Sequence, residues 1–167
     1  MIHIYTGNGK GKTTAALGLA LRASGAGMNV FIAQFLKGRR YSELLALKKI
    51  KNIQIEQFGQ TCFIRKKPTA KDFALASKGL ERVSCILRDK KHRMVILDEI
   101  NVAIKLGLIP LEKLTGILKG YPLKKEVILT GRYAPKILIQ MADLVSEIRQ
   151  EKHYFQKGIK ARKGIEF

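Results

Sequence analysis

The chain has 167 residues, 46% of them hydrophobic, with 32 Lys and Arg against 13 Asp and Glu, for a formal net charge of +19. This length suits one domain with a substantial core, so we expect residues 1–167 to form a single domain. No apolar stretch approaches the roughly 20 residues that cross a bilayer, and no basic and apolar leader precedes the first apolar run, so we expect a cytoplasmic protein without a membrane partner.

The positive charge is spread over several segments, which attracts polyanions without identifying one. A nucleic-acid partner is therefore allowed but not indicated, and a soluble basic surface without a dedicated partner explains the charge equally well. The two cysteines, Cys62 and Cys85, have no zinc or redox spacing, and we interpret Cys85 as a core residue.

Short apolar runs predict six strands, at residues 2–5, 30–35, 53–57, 94–97, 127–130 and 144–147. Helical periodicity predicts helices between them, at residues 13–24, 41–49, 72–89, 110–119 and 135–141. In the third of these helices the buried face is expected to carry Phe73, Ala76, Leu80, Val83 and Leu87. The alternation predicts an α/β fold, a parallel sheet with helices on both faces that binds its ligand beyond the carboxyl ends of the strands.

A glycine-rich segment joins the first predicted strand to the first predicted helix. It reads Gly7-Asn8-Gly9-Lys10-Gly11-Lys12-Thr13-Thr14. The glycines allow a tight turn whose amide hydrogens face a polyphosphate, Lys12 adds a mobile positive charge, and Thr13 places a hydroxyl to ligate Mg²⁺. The usual spacing has a further glycine where this chain has Thr6, so the loop is either one residue shorter or tolerates threonine there.

Two carboxylates, Asp98 and Glu99, end the predicted strand 94–97, and either is suited to hold Mg²⁺ directly or through water. The alternative is an acid that caps a helix after the strand. Arg132, after the strand 127–130, is suited to neutralise a phosphate or a carboxylate, or is a solvated arginine in a salt bridge. Gln34 and Lys37 are further candidates for the rim of the site. These residues predict a P-loop protein that uses Mg²⁺ and a nucleoside triphosphate.

Several segments together resemble the P-loop ATP:corrinoid adenosyltransferases over nearly the whole chain. They are Thr6 to Thr14, Gln34 to Gly38, Val95 to Asn101, Thr130 to Arg132, Ala142 to Glu147, Lys152 to Phe155, and the ending with Gly158, Ala161 and Gly164 to Phe167. The glycine loop is shared by many unrelated enzymes, whereas its combination with this ending is specific to the family. The resemblance implies a P-loop NTPase fold of the RecA-like class.

The resemblance also implies the reaction and its residues. Reduced cobalt, Co(I), attacks the 5′ carbon of ATP and expels tripolyphosphate, which the loop stabilises as a leaving group. By similarity, Lys12 and Glu99 are catalytic, Thr13 and Glu99 are the Mg²⁺ ligands with Asp98 beside them, and Asn8 and Lys12 hold phosphates. The ATP-binding set implied in this way is Thr6, Gly7, Asn8, Gly9, Lys10, Gly11, Lys12, Thr13, Thr14 and Arg132.

Shielding of the corrinoid is where the sequence departs from the family. Family members often use phenylalanine and tryptophan in a glycine-rich loop, whereas this chain has no tryptophan. Phe58, Phe63 and Ile64 are the corresponding apolar residues, and the alternative is that they only pack the core. An N-terminal extension of some relatives has no counterpart here, so we expect coverage of the substrate from elsewhere, such as the second subunit of a homodimer.

The expected partners are ATP, a corrinoid and an external reductase that supplies electrons to cobalt. A RecA-like nucleic-acid-binding ATPase is the main alternative, suggested by the same loop and the net charge of +19. It is disfavoured because the sequence offers no aromatic platform for stacking bases. A small-molecule kinase is a third reading.

Overall fold

The computed structural model describes residues 1–39, 41–61, 67–120 and 124–167 of the chain. Its strands are β1 (Ile2–Thr6), β2 (Val30–Phe35), β3 (Ile53–Phe58), β4 (Met94–Asp98), β5 (Glu126–Thr130) and β6 (Leu144–Glu147). Its helices are α1 (Lys12–Gly25), α2 (Ser42–Leu47), α3 (Ala70–Arg88), α4 (Ile100–Lys105), α5 (Leu111–Lys119), α6 (Lys136–Met141) and a 3₁₀ turn at Tyr154–Lys157. Among the helices described, none is long and apolar enough to span a bilayer.

The six strands form one parallel sheet in the order β3-β2-β4-β5-β1-β6. The carboxyl ends of parallel strands share one edge, and the register sets Gln34 of β2 beside Asp98 of β4, and Tyr5 of β1 beside Thr130 of β5. Strand β5 therefore separates the strand that leads into the glycine loop from the strand that ends in the two acids. The predicted parallel sheet is confirmed, and it brings the glycine loop and Asp98 to one edge.

Helices cover both faces of the sheet, as predicted. Helices α1 and α2 contribute Ala16, Ala20, Ala23 and Leu47 to one apolar cluster with the strands. Helices α3 to α6 contribute to the cluster on the other face, which includes Leu80, Val83, Leu114 and Leu138. Burying these side chains against the strands is the main favourable term in folding, and it fixes the sheet edge on which the site is built.

The structure adds one helix to the predicted elements and corrects two expectations. Helix α4 was not predicted, because its six residues are too few to show a period after the apolar run of β4. Phe73 was expected in the core but is 45% exposed. The residue before it, Asp72, is buried instead, because its side chain forms a capping box with Thr69 at the start of α3. Cys85 was expected in the core but is exposed, because it lies on the solvent side of α3.

A buried ion cluster closes the opposite, amino-terminal edge of the sheet. The Lys125 ammonium donates to Asp89 Oδ1 at 2.9 Å and to the Ile86 carbonyl at 2.8 Å, while His92 Nδ1 lies 2.6 Å from Asp89 Oδ2. Burial alone would raise the pKa of Asp89, but the bonds from His92 and Lys125 hold it well below its ordinary value. The cluster fixes the connection from α3 to β4, far from the predicted site.

Replacing Gly79 by alanine is expected to destabilise the fold. A Cβ at this position in α3 would lie 2.7 Å from Phe58 Cγ and 2.8 Å from Phe35 Cε1, two buried rings that cannot withdraw. We expect the unfolding free energy to fall by about 1–3 kcal/mol in urea denaturation. Gly116→Ala is the matched control, because in α5 its Cβ would meet nothing within 4 Å in the described chain. The control should gain about 0.5–1 kcal/mol, and equal effects of the two changes would contradict the packing argument.

Candidate nucleotide site

The glycine loop lies between β1 and α1, at the carboxyl edge of the sheet. Gly11 precedes α1 with φ 118°, a left-handed conformation that favours glycine. Gly9 is needed for a different reason, since a Cβ there would lie 2.6 Å from the Arg149 carbonyl oxygen. The Gly9 amide donates to the Ile148 carbonyl at 2.7 Å. This amide therefore anchors the loop to the chain after β6, whereas the sequence suggested that the loop amides face a ligand.

Lys12 begins α1 and folds back over the loop. Its side chain is buried, and its ammonium donates to the Gly9 carbonyl at 2.6 Å. Burial lowers the pKa of Lys12, and the positive charge of the Arg132 guanidinium lowers it further, while the negative charge of Glu99 acts in the opposite direction. A buried ammonium held by one carbonyl is poorly solvated, so it is suited to bind an anion that enters the loop.

Asp98 is the centre of the site, fully buried at the end of β4. Its Oδ1 accepts hydrogen bonds from the Thr13 hydroxyl at 2.8 Å and the Thr130 hydroxyl at 2.7 Å. Its Oδ2 accepts from the Lys37 ammonium at 2.7 Å and the Gln34 amide at 3.2 Å. Both oxygens are therefore satisfied by donors from α1, β5, β2 and the segment after β2, which compensates for burial of the charge.

Glu99 follows Asp98 and has a different environment. Its backbone is left-handed at φ 61°, and its amide donates to the Thr130 hydroxyl at 3.0 Å. Burial and the Asp98 carboxylate raise the pKa of Glu99, against the attraction of Lys37, Lys12 and Arg132. Within the described chain its carboxylate has no hydrogen-bond partner. Of the two acids, Glu99 is thus the one with oxygens free for a cation.

Arg132 stands on the rim of the site, after β5, and is exposed. The turn that carries it is fixed from below, because the buried Asn101 amide donates to the Gly131 carbonyl at 3.2 Å. Asn101 Oδ1 is buried without a partner among the described residues. The guanidinium is close enough to affect the pKa values of Lys12 and Glu99, so the three predicted residues share one site.

Lys10, on the outer side of the loop, is bound by the end of the chain. Its ammonium lies 2.6 Å from Glu166 Oε1 and 2.5 Å from the Tyr154 hydroxyl. Arg162 completes the cluster, with its backbone amide donating to Glu166 Oε2 at 2.6 Å and its guanidinium 4.8 Å from the Tyr154 ring centre. The Ser42 hydroxyl of α2 also donates to the Phe167 carbonyl at 3.0 Å. The end of the chain therefore contacts the glycine loop at Lys10 and α2 at Ser42.

An open cleft of about 460 Å³ adjoins the loop, lined by Asn8, Glu147, Arg149 and Gln150. Of the remaining predicted ATP-binding residues, Thr14 is exposed on α1, and Thr6 ends β1 with its carbonyl accepting from the Ile148 amide at 2.8 Å. All of these residues lie around one loop.

Of the three residues predicted to shield a corrinoid, the structure describes Phe58. Phe58 ends β3 and is buried, its ring centre 6.0 Å from that of Phe35. This position favours the alternative reading, in which Phe58 packs the core. Phe63 and Ile64 lie outside the described residues. The segment is anchored before them, since the Gln60 amide donates to Asp72 Oδ1 at 2.9 Å and to the Thr69 hydroxyl at 3.1 Å, at the start of α3.

Sequence reasoning gave no role to Thr130, Tyr154 or Glu166. Thr130 ends a strand on the same edge as Asp98, and strand ends rich in polar residues are the signal that points to it. Tyr154 and Glu166 lie 144 and 156 residues from Lys10, so no local pattern indicates their contact.

Acidification is expected to release residues 152–167 before the sheet unfolds. The Lys10 hydrogen bond is the main cause that lowers the pKa of Glu166 from 4.5 to about 2. A carboxyl group whose pKa is lower in the docked tail than in the released tail stabilises docking at any pH above the pKa of the released state. That contribution is lost as the pH falls to the pKa of the docked state. Hydrogen-exchange protection of 152–167 should therefore drop between about pH 4.5 and pH 2, while β2 stays protected. Glu166→Gln should release the tail at neutral pH, and full protection in that variant would contradict the assignment.

Comparison with known proteins gives a consistent family. The family model described as ATP:corrinoid adenosyltransferase BtuR/CobO/CobP matches residues 1–167. A corrinoid adenosyltransferase of Sinorhizobium sp. is 37% identical and is covered over 80% of its length by the whole of this chain. The corrinoid adenosyltransferase of Escherichia coli K12 is 34% identical, with 100% of this chain and 85% of the relative covered.

A solved structure supports the fold alone. The KaiC-like protein PH0186 of Pyrococcus horikoshii matches with a TM-score of 0.57 and 20% identity, over 91% of this chain and 74% of that protein. Together with the parallel sheet, this likeness confirms the predicted α/β fold of the P-loop NTPase class. The match over the whole sequence, at identities above 30%, then decides the family: the chain belongs to the ATP:corrinoid adenosyltransferases.

Proposed function

We propose that this protein transfers the 5′-deoxyadenosyl group of ATP to the Co(I) centre of a corrinoid. The cobalt electron pair attacks the ribose C5′, the Co–C bond forms, and the C5′–O bond breaks as tripolyphosphate leaves with its electron pair. The observation that carries the proposal is the match to the adenosyltransferase family over residues 1–167. In the sheet, β5 lies between the strand that leads into the glycine loop and the strand that ends at the two acids, which fits that match. It favours this reaction over the nucleic-acid-dependent ATPase.

The loop acts on the leaving group. Negative charge builds up on the triphosphate as the C5′–O bond breaks, and fixed positive charge at that place lowers the barrier. Lys12 is buried and hydrogen-bonded to the Gly9 carbonyl, so its ammonium is the group best placed to stabilise that negative charge. Arg132 lies on the rim of the same site, where it adds a second cation to the anion's surroundings.

The acids and Thr13 fit a hard divalent cation, which we propose to be Mg²⁺. Oxygen donors with one or two carboxylates are its usual protein ligands, and when bound it would absorb triphosphate charge. The Glu99 carboxylate has no hydrogen-bond partner among the described residues, and the Thr13 hydroxyl, donating its proton to Asp98, keeps lone pairs for the metal. We assign Thr13 and Glu99 as ligands, with Asp98 orienting Thr13.

The corrinoid approaches from the side on which ATP presents its ribose, with Phe63 and Ile64 as the remaining candidates to shield it. We further propose that residues 1–167 form one catalytic domain in the cytoplasm, that an external reductase supplies electrons to cobalt, and that a homodimer completes coverage of the substrate. These proposals follow from the family and from the site's position on an open sheet edge.

A spectroscopic assay tests the reaction. Protein incubated with ATP, Mg²⁺ and chemically reduced corrinoid should give the light-sensitive spectrum of an alkylcobalt product, with one tripolyphosphate released per product. Release of ADP without a spectral change would contradict the proposed function.

Lys12→Ala is expected to remove catalysis while leaving the fold intact. Loss of one preorganised cation at the leaving group should lower kcat/KM about 10²–10³-fold in the same assay. The unfolding free energy should change by less than about 1.5 kcal/mol, because the residue makes one hydrogen bond to the loop. Lys90→Ala, exposed at the opposite edge of the sheet, is the charge-matched control and should retain activity. A large loss of stability in Lys12→Ala would instead assign the residue a structural role.

A further inference from the structure

Lys37 reaches into the proposed metal site, where its ammonium contacts Asp98 and lies beside the Thr13 hydroxyl. Strand β2 ends at Phe35, and the next residue, Leu36, is left-handed at φ 60° with its amide donating to the Phe58 carbonyl at 3.3 Å. The chain is thereby turned, and the side chain of Lys37 is only 13% exposed. A lysine side chain is rarely buried to this extent, because its charge is normally kept in water, so its contacts in the site must compensate for the burial.

The contacts of Lys37 are those of a cation among metal ligands. Its ammonium lies 2.7 Å from Asp98 Oδ2 and 3.4 Å from the Thr13 hydroxyl oxygen. Burial would lower the pKa of Lys37, but the attraction of Asp98, its hydrogen bond and the nearby Glu99 charge raise it above its ordinary value. The ammonium therefore contacts Asp98, lies beside Thr13 and is close enough to Glu99 to feel its charge, so it is near all three residues predicted as the metal site.

We propose that the Lys37 ammonium takes the place of the divalent cation in the metal-free site and is displaced when the metal binds. The inference rests on the metal site of the proposed function and names the residue with which the metal competes. A Mg²⁺ ion bound to the Thr13 hydroxyl would lie about 2.0–2.1 Å from Oγ1. Because the Lys37 ammonium is 3.4 Å from the same oxygen, the two cations would be no more than about 5.5 Å apart. Two cations this close repel each other strongly.

A displaceable lysine would stabilise the buried Asp98 carboxylate until the metal binds. Asp98 is fully buried, and an unpaired carboxylate there would be costly before substrate arrives. Lysine is suited to a temporary role, since its ammonium sits on a flexible four-carbon stem and can move without disturbing the backbone. The rival explanation is a permanent structural pair, in which Lys37 stays on Asp98 whether or not a metal is bound.

Titration with Mn²⁺, followed by loss of the free-ion electron paramagnetic resonance signal, separates the two explanations. The relevant site is the one that Thr13→Val removes. Lys37→Met should bind Mn²⁺ at that site about tenfold more tightly than wild type, because a like charge has been removed from it. Lys105→Met is the matched control, since it removes an exposed lysine whose ammonium lies 6.0 Å from the ring centre of Tyr133, next to Arg132, and should leave the affinity unchanged.

Equal or weaker binding by Lys37→Met would overturn the proposal. Absence of a Thr13-dependent site in both proteins would overturn it as well, together with the metal ligands proposed above. The adenosyl transfer itself is judged separately by its spectral assay, so the two failures can be told apart.

A second measurement is made on the wild-type chain, and a variant is needed only to assign the signal. In protein labelled at lysine Cε, the signal that Lys37→Arg identifies as Lys37 should shift when Mg²⁺ saturates the site, as the ammonium leaves Asp98. The signal of Lys105 serves as the internal reference and should stay in place. A Lys37 signal unmoved at saturation would show a permanent pair and overturn the proposal.

Discussion

The buried carboxylate of Asp98 is the constraint on which the site depends. A charge with no exposure to water is tolerated only when donors surround it, and here Thr13, Thr130, Gln34 and Lys37 supply them. These donors come from the start of α1 and from the ends of strands on either side of β4. One desolvated group thus fixes the start of the helix that follows the glycine loop and leaves the next acid, Glu99, free for a ligand.

The loop is held from outside as well as from within. The Gly9 amide is bound by the Ile148 carbonyl, and Lys10 is bound by Tyr154 and Glu166. An anion-binding loop works best when its shape exists before the anion arrives, because no reorganisation is then needed at the moment of reaction. The edge strand β6 and the end of the chain supply this support, which explains why the specific ending of the sequence accompanies the loop.

Part of the excess positive charge behind the net charge of +19 is concentrated at the proposed site. Lys12, Lys37 and Arg132 converge on a site with two carboxylates, one of which is already paired with Lys37. Such a site favours a polyphosphate over a neutral ligand and becomes better balanced when a divalent cation accompanies it.

By itself the sequence determined the parallel sheet, all six strands and the glycine loop with its facing acids, because alternating periodicity and strand-end polar residues are local patterns. It misjudged Phe73 and Cys85, since the face that a helix buries depends on its rotation against the sheet. Only the tertiary structure decided that both Asp98 oxygens accept hydrogen bonds while the Glu99 carboxylate has no partner in the described chain, that Gly9 binds the chain after β6, and that Glu166 pairs with Lys10. Those facts depend on contacts between segments up to 156 residues apart, and no local preference of the chain encodes a distance of that kind.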